Sequence, residues 1–340
     1  MERLPLWIGM TFTGPRAKLV SLALVSFLAV LFGVVFWPGT KERVRGKVLL
    51  GHNERIRAIA FSPDGSTLAS AGGSLDYKAE LALWDLRSDV RRFAPLGHTA
   101  RIESIAFSPD GQTMATTSAD HTVRLWNPAT GQERAILRGH NEIVHLLAFS
   151  PDGRTLVTAC RDHTLRFWDV ASAQEKRVIQ GPDSWSHCLV YGTDGPILVT
   201  GGAGDLKIRL WNVLGERVNG VLDCPTSGIA SMAMSLRSHA LAAGCMDGTV
   251  SVWNTEGLRL RFILPAHAEA VTALAFSPDG ASLVSGSLAG GLKAWDCVAG
   301  KEFATMTGHT DAITALSYSA DGKKFASGSV DKTLIIWNAP

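Results

Sequence analysis

Residues 97–126 read GHTARIESIAFSPDGQTMATTSADHTVRLW. An apolar run closes on Phe107, the segment Phe107-Ser-Pro-Asp-Gly111 follows, and a second β-rich run, Thr122-Val-Arg-Leu-Trp126, ends the stretch. Branched and aromatic side chains suit a pleated strand. Pro and Asp favour a type I turn and Gly supplies positive φ, so the segment between the runs has the chemistry of a hairpin loop. Working outward, the dipeptides Trp84-Asp85, Trp126-Asn127, Trp168-Asp169, Trp211-Asn212, Trp253-Asn254, Trp295-Asp296 and Trp337-Asn338 recur at separations of 42, 42, 43, 42, 42 and 42 residues. Phe61, Phe107, Phe149 and Phe276 each open an identical FSPDG, and Tyr191 and Tyr318 open variants of it. A fixed period of this size marks a repeat architecture in which each unit buries its apolar face against its neighbours. It replaces the two domains that a length of 340 residues would otherwise suggest.

With Gly51-His52, Gly97-His98, Gly139-His140, Gly308-His309 and the variant Ala266-His267 near the starts of units and Trp-Asp or Trp-Asn near their ends, the chain resembles the WD-repeat (WD40) β-propellers. The resemblance covers residues 47–340 and implies an all-β, seven-bladed propeller of four-stranded blades around a channel. It implies that Lys47-Val-Leu-Leu50 supplies the outer strand of the last blade, closing the ring. It also implies a buried hydrogen-bond chain of His, hydroxyl, Asp and Trp within a blade. Carried over, the sets are His98, Ser118, Asp120 and Trp126 in unit two, and His309, Ser329, Asp331 and Trp337 in unit seven. In unit three they are His140, Asp162 and Trp168, with Cys160 at the hydroxyl place. These pairs are structural rather than catalytic, because their spacing recurs and buried polar groups need partners. Units four and five keep Asp205 and Asp247 but lack the His, unit six has Ala289 at the Asp place, and unit one carries an insertion around Ser74-Leu-Asp-Tyr77. Blades four and five are therefore expected to be the least rigid.

Ahead of the repeats lies a different kind of sequence. Residues 19–37, LVSLALVSFLAVLFGVVFW, contain no charge. As a helix they would span about 28 Å, close to the roughly 30 Å hydrocarbon core of a bilayer. The run is longer than the apolar region of a signal peptide and ends in Val35-Phe36-Trp37-Pro38 without a small-x-small cleavage site. The expected organisation is a short tail over residues 1–18, a transmembrane helix over 19–37, a linker over 38–46 and the propeller over 47–340. Trp7 and Trp37 suit the two interfaces. Three basic residues before the run and four after it leave the orientation undetermined.

From Met1 to Lys47, seven basic and two acidic residues give +5, so the rest of a chain of net charge +2 carries −3. A propeller with that balance lacks the basic stripe of a nucleic-acid binder. The composition, 46% hydrophobic and 19% charged, excludes disorder. Cys160, Cys188, Cys224, Cys245 and Cys297 include no CxxC and no metal-ligand spacing, and Cys160 and Cys245, eight residues before their Trp, read as small buried residues rather than as disulfide partners or nucleophiles. His121 and His163 share a turn position, but Leu206 and Gly248 follow in register, so no metal site is expected. No nucleophile elbow, phosphate-binding loop or zinc helix motif occurs, and no cofactor is expected.

Aligning the units places Arg57, Glu103, His145, His187, Ala230, Thr272 and Thr314 at one equivalent position, four residues before the end of the first strand. By resemblance this position lies at the channel mouth, where family members bind peptides and proteins. The candidate partner site is its polar arc, Arg57, Glu103, His145 and His187, with Arg161 and Trp185 from nearby turns. The expected function is a single-pass, membrane-tethered, non-catalytic scaffold for proteins or peptides. The alternative is a propeller enzyme with a small-substrate site at the mouth, using His145 or His187 as acid or base.

Overall fold

The computed structural model describes residues 46–74, 79–88, 90–93, 97–181, 186–192, 195–201 and 206–340. The proposed tail, transmembrane helix and linker lie outside the described residues, apart from Gly46. No helix among the described residues is long and apolar enough to cross a membrane. Among the described residues the repeats form 28 strands in seven four-stranded antiparallel sheets, which are the blades of an all-β propeller. Blade 2 is representative. Its strands Ile102–Phe107, Met114–Ser118, Val123–Trp126 and Glu133–Leu137 pair in chain order.

The FSPDG turns join first and second strands as the local chemistry requires. Gly65, Gly111, Gly153, Gly280 and Gly322 all have φ between 68° and 72°. In blade 2 the Ser108 hydroxyl donates to Asp110 Oδ1 at 2.5 Å, and the same carboxylate oxygen accepts the Gln112 N–H at 2.9 Å. The tip is thus held by side-chain bonds that replace ladder bonds lost at the reversal. Asp64 in the corresponding turn is held at about 2 by the Ser62 and Ser66 hydroxyls and the Ser66 N–H.

The last blade consists of Ile313–Tyr318, Lys324–Ser329 and Leu334–Asn338, and its fourth strand is Lys47–Leu49. Lys47, Val48 and Leu49 pair with Ile336, Ile335 and Leu334. Gly46 precedes this strand because a Cβ there would stand 2.2 Å from Ile335 Cγ2 and 2.7 Å from the Trp337 ring. Closure satisfies two backbone edges that would otherwise stay unpaired.

The core is divided among the seven blade-to-blade seams. Between blades 1 and 2, for example, Leu81, Leu83 and Ala69 pack on Ile102, Met114 and Trp126. The repeated Trp of one blade is therefore buried against the preceding blade. The period of the sequence is a period of interfaces as much as of sheets.

Candidate functional site

Every first strand carries a break in its ladder at the same place. The register shifts between Ile56 and Ala58, Ile102 and Ser104, Val144 and Leu146, Ser186 and Cys188, Ile229 and Ser231, Val271 and Ala273, and Ile313 and Ala315. The skipped residues are Arg57, Glu103, His145, His187, Ala230, Thr272 and Thr314. A bulged residue leaves the alternation of the strand, and its side chain is re-aimed. Because first strands neighbour first strands around the ring, the seven bulges form a circle at the end of the innermost strands opposite the FSPDG turns.

The circle has two halves. In blades 6 and 7 the bulged Thr ties one blade to the next: Thr272 Oγ1 donates to Ile313 O at 2.6 Å, and Thr314 Oγ1 donates to Ile56 O. In blade 5 the neighbouring Ser231 hydroxyl donates to Val271 O at 2.7 Å. Across blades 1 and 2 the tie is ionic. Arg57 Nη1 lies 3.1 Å from Glu103 Oε2, and Arg101 Nε donates to Glu103 Oε1. Burial, with Arg101, Arg55 and Arg161 nearby, pushes the Arg57 guanidinium below its ordinary value, against the opposing pull of Glu103. Two guanidinium groups thus share the Glu103 carboxylate, and Arg57 Nε is buried without a hydrogen-bond partner. His145 extends this arc, half-buried, and Arg161 is exposed. His187 belongs to the strand Ser186–Gly192, and Trp185 lies outside the described residues.

The buried polar chain is present in five blades, with a corrected membership. His98 Nε2 and Trp126 Nε1 both meet Thr116 Oγ1, each at 2.8 Å, and His98 Nδ1 meets Asp120 Oδ2 at 2.8 Å. Ser118 is not the bridge: its hydroxyl faces the Ala100 and Arg101 carbonyls and accepts the Asp120 N–H. Blade 7 repeats this with Ser327 between His309 and Trp337, while Ser329 bonds Asp311 O. In blade 3 Thr158 bridges His140 and Trp168, so Cys160 does not interrupt the chain. The shared oxygen must lie between a His ring nitrogen from the connector and a Trp ring nitrogen from the third strand, and the residue two places earlier is the one that reaches both. His267 and Trp295 share Ser285 without an acidic partner. Blade 1 is complete in another way: His52 and Trp84 share Ser70, and Glu80, beyond the insertion, replaces the Asp at 3.1 Å from His52 Nδ1. Bonds from His52 and from the Glu54 and Asn53 N–H groups overcome burial and hold Glu80 at about 2.

For metals, the one cluster found among the described residues is His140, Cys160 and Asp162, whose ligand atoms lie within 4.8 Å of one another. All three have internal duties: Thr158 meets His140 Nε2, the Cys160 thiol donates to Glu142 O, and Asp162 accepts the Asn141 and Thr164 N–H groups. Burial keeps the Cys160 thiol protonated, pushed up to about 12. His121 and His163 sit at turns with φ of 68° and 64°, and Gly248, Gly290 and Lys332 occupy the equivalent turns with the same sign of φ. Their shared position reflects a left-handed turn and not a converging ligand set.

A cleft of about 860 Å³ lies at the other end of blades 2 and 3 and includes Asp110, Asp152 and Asp169. Each carboxylate is held by its own turn, through Ser108, Ser150 and Ser172 respectively, and each is held below the ordinary range by those bonds. They stay ionised at neutral pH, which does not suit a general acid.

Comparison with curated proteins returns no match. Comparison with protein families returns WD40, described as WD domain, G-beta repeat, over residues 44–81, 90–127, 131–169, 173–212, 217–254, 258–296 and 300–338. The seven matches follow the seven sequence repeats, each running from the outer strand of one blade into the third strand of the next, and the chain belongs to the WD40 repeat family.

Proposed function

We propose that this protein is a membrane-tethered, non-catalytic scaffold that holds an acidic segment of a partner protein against the charged arc of its propeller. The observation that carries this reading is the division of the bulge circle. Blades 6 and 7 tie neighbouring blades with neutral threonine hydroxyls, whereas blades 1 and 2 bring Arg57 and Arg101 onto the Glu103 carboxylate, with the charges of Arg55 and Arg161 near Arg57. Arginine forks match carboxylates in pairs, and Glu103 already shows that geometry within the chain. Trp185 and His187 remain candidates by sequence register, an aromatic and an imidazole group of the kinds that anchor partner peptides. WD40 propellers as a class mediate protein interactions, which supports the binding role.

The tether is residues 19–37 as a single transmembrane helix, supported by their length and lack of charge. Anchoring would confine captured proteins to the membrane surface and raise their effective concentration there. The test is affinity capture of the full chain in mild detergent, comparing wild type with the R57A/R161A/W185A variant. Loss of specific partners from the variant is expected. An unchanged partner set would overturn the assignment of the arc. Carbonate extraction of membranes checks the anchor separately, since a spanning helix stays in the pellet and a soluble protein leaves it.

A further inference from the structure

Blade 5 departs furthest from the others in its internal chemistry. Pro225 stands where the His stands elsewhere, and Ala243 stands where the bridging hydroxyl belongs. Cys224 occupies the place of the glycine in Gly-His, and Cys245 occupies the place of Ser118. The register of the blade brings the two together. Cys224 follows the strand Arg217–Asp223, Cys245 ends the strand Ala240–Cys245, and their Sγ atoms lie 3.6 Å apart. Both are buried, at 4% and 0% exposure. The thiols sit at the junction of connector and second strand, the region that His98 and Asp120 tie together in blade 2.

The surroundings treat the two sulfurs differently. The single Cys224 proton has two acceptors within reach, the Ser227 carbonyl oxygen at 3.4 Å and Cys245 Sγ at 3.6 Å. The Cys224 thiol, then the Thr226 and Thr249 hydroxyls, pull Cys245 below the ordinary thiol range, while Cys224 is pushed up. Burial pushes Cys160, Cys188 and Cys297 up to about 12. One sulfur of the pair is thus disposed to act as a thiolate and its neighbour is placed to resolve it.

We infer that Cys224 and Cys245 are a redox pair that hydrogen peroxide converts into an intrachain disulfide, supplying in blade 5 the tie that histidine supplies elsewhere. The Cys245 thiolate attacks one peroxide oxygen. An S–O bond forms, the O–O bond breaks, and the departing hydroxide takes a proton to leave as water. Cys224 sulfur then attacks Cys245 Sγ. The S–S bond forms, the S–O bond breaks, and the oxygen leaves as a second water carrying the Cys224 proton. The two sulfurs lose two electrons and the peroxide gains them. A small oxidant fits the burial of the site, which excludes bulky disulfides. Closing 3.6 Å to a bond of about 2.05 Å requires only a local approach of the connector to the strand.

The experiment uses the full chain, treated with hydrogen peroxide, denatured, alkylated and mapped by peptide mass spectrometry. The expected product is one peptide pair linked through Cys224 and Cys245, reversed by dithiothreitol, with Cys160, Cys188 and Cys297 alkylated as before. In C224S, Cys245 should instead be trapped by dimedone as a sulfenic acid. Native-state hydrogen exchange of residues 224–228 and 245–249 should slow roughly tenfold or more on oxidation of wild type and not of C224S. Recovery of both cysteines fully alkylated after peroxide treatment, in a wild-type protein shown to be folded, would overturn the inference. So would linkage through any other cysteine pair.

Discussion

Blades 2 and 4 have the same four antiparallel strands and nearly the same length of repeat, yet they are held together differently. In blade 2 Trp126 is 1% exposed, donates to Thr116 at 2.8 Å, and reaches His98 and Asp120 through that hydroxyl. In blade 4 Pro182 stands at the His position, Trp211 is half-buried, and its bond to Thr200 is 3.3 Å long. The polar chain is therefore not what makes a blade. Alternating apolar strands and seam packing make it, and the chain of hydrogen bonds sets how tightly it is held.

The comparison breaks most sharply at the tryptophans. Trp126→Ala should cost about 4 kcal/mol in urea unfolding, from lost burial and the cavity left behind. Trp211→Ala should cost roughly half of that, because less of the ring is buried and its bond is long. Equal losses would show that the two blades are equally tight. Next, Thr116→Val should cost about 2–3 kcal/mol, since it strands two buried ring nitrogens, against about 1 kcal/mol for Ser118→Ala or Thr200→Val. A larger loss at Ser118 than at Thr116 would reverse the membership of the chain.

Protonation separates the blades without mutation. Burial holds the His140 imidazole down to about 4, whereas an unfolded His titrates near 6.5. The unfolded chain then binds the proton more readily, so this contribution is intact above about pH 6.5 and is lost progressively as pH falls towards 4. Between pH 7 and 5 blade 3 should lose on the order of 2 kcal/mol of protection against hydrogen exchange. Blade 6 should weaken in the same direction, because burial also lowers His267. Blade 4, where Pro182 stands in place of the buried His, should change less than blades 3 and 6. At pH 7 itself, blades 4 and 5 should exchange fastest, and uniform protection across the ring would contradict the graded picture. The smallest effect is expected at a turn. Lys332 is exposed with φ 70°, and Lys332→Gly should raise stability by about 1 kcal/mol in the same urea assay by relieving a left-handed residue.

The repeat count and the turn glycines were legible because each follows from periodicity or from local backbone chemistry, while the closing strand was legible through the resemblance to the WD-repeat propellers. Other features were hidden by the same regularity. Thr116 and Ser118 are both hydroxyls on one strand, and only the positions of the His98 and Trp126 rings select between them. Glu80 was masked by the insertion, which displaces it from the spacing of Asp120 while folding returns it to the same partner. The bulges leave no compositional mark, since Arg, Glu, His, Ala and Thr all occupy them, yet they decide which side chains ring the channel. Cys224 and Cys245 are 21 residues apart, and only the pairing of a connector with a strand end makes them neighbours.

The pairing of Lys47–Leu49 with Leu334–Ile336 also sets the order of assembly. These partners lie at opposite ends of the repeat array, so their contact is among the most distant in sequence that the fold makes, and the closing step must bear the largest loop entropy. During synthesis blades can form one after another, but the ring stays an open arc with two bare edges until Leu334–Asn338 has left the ribosome. Through that interval the segment Lys47–Leu49 waits for Leu334–Ile336, however many of the blades between them have already formed.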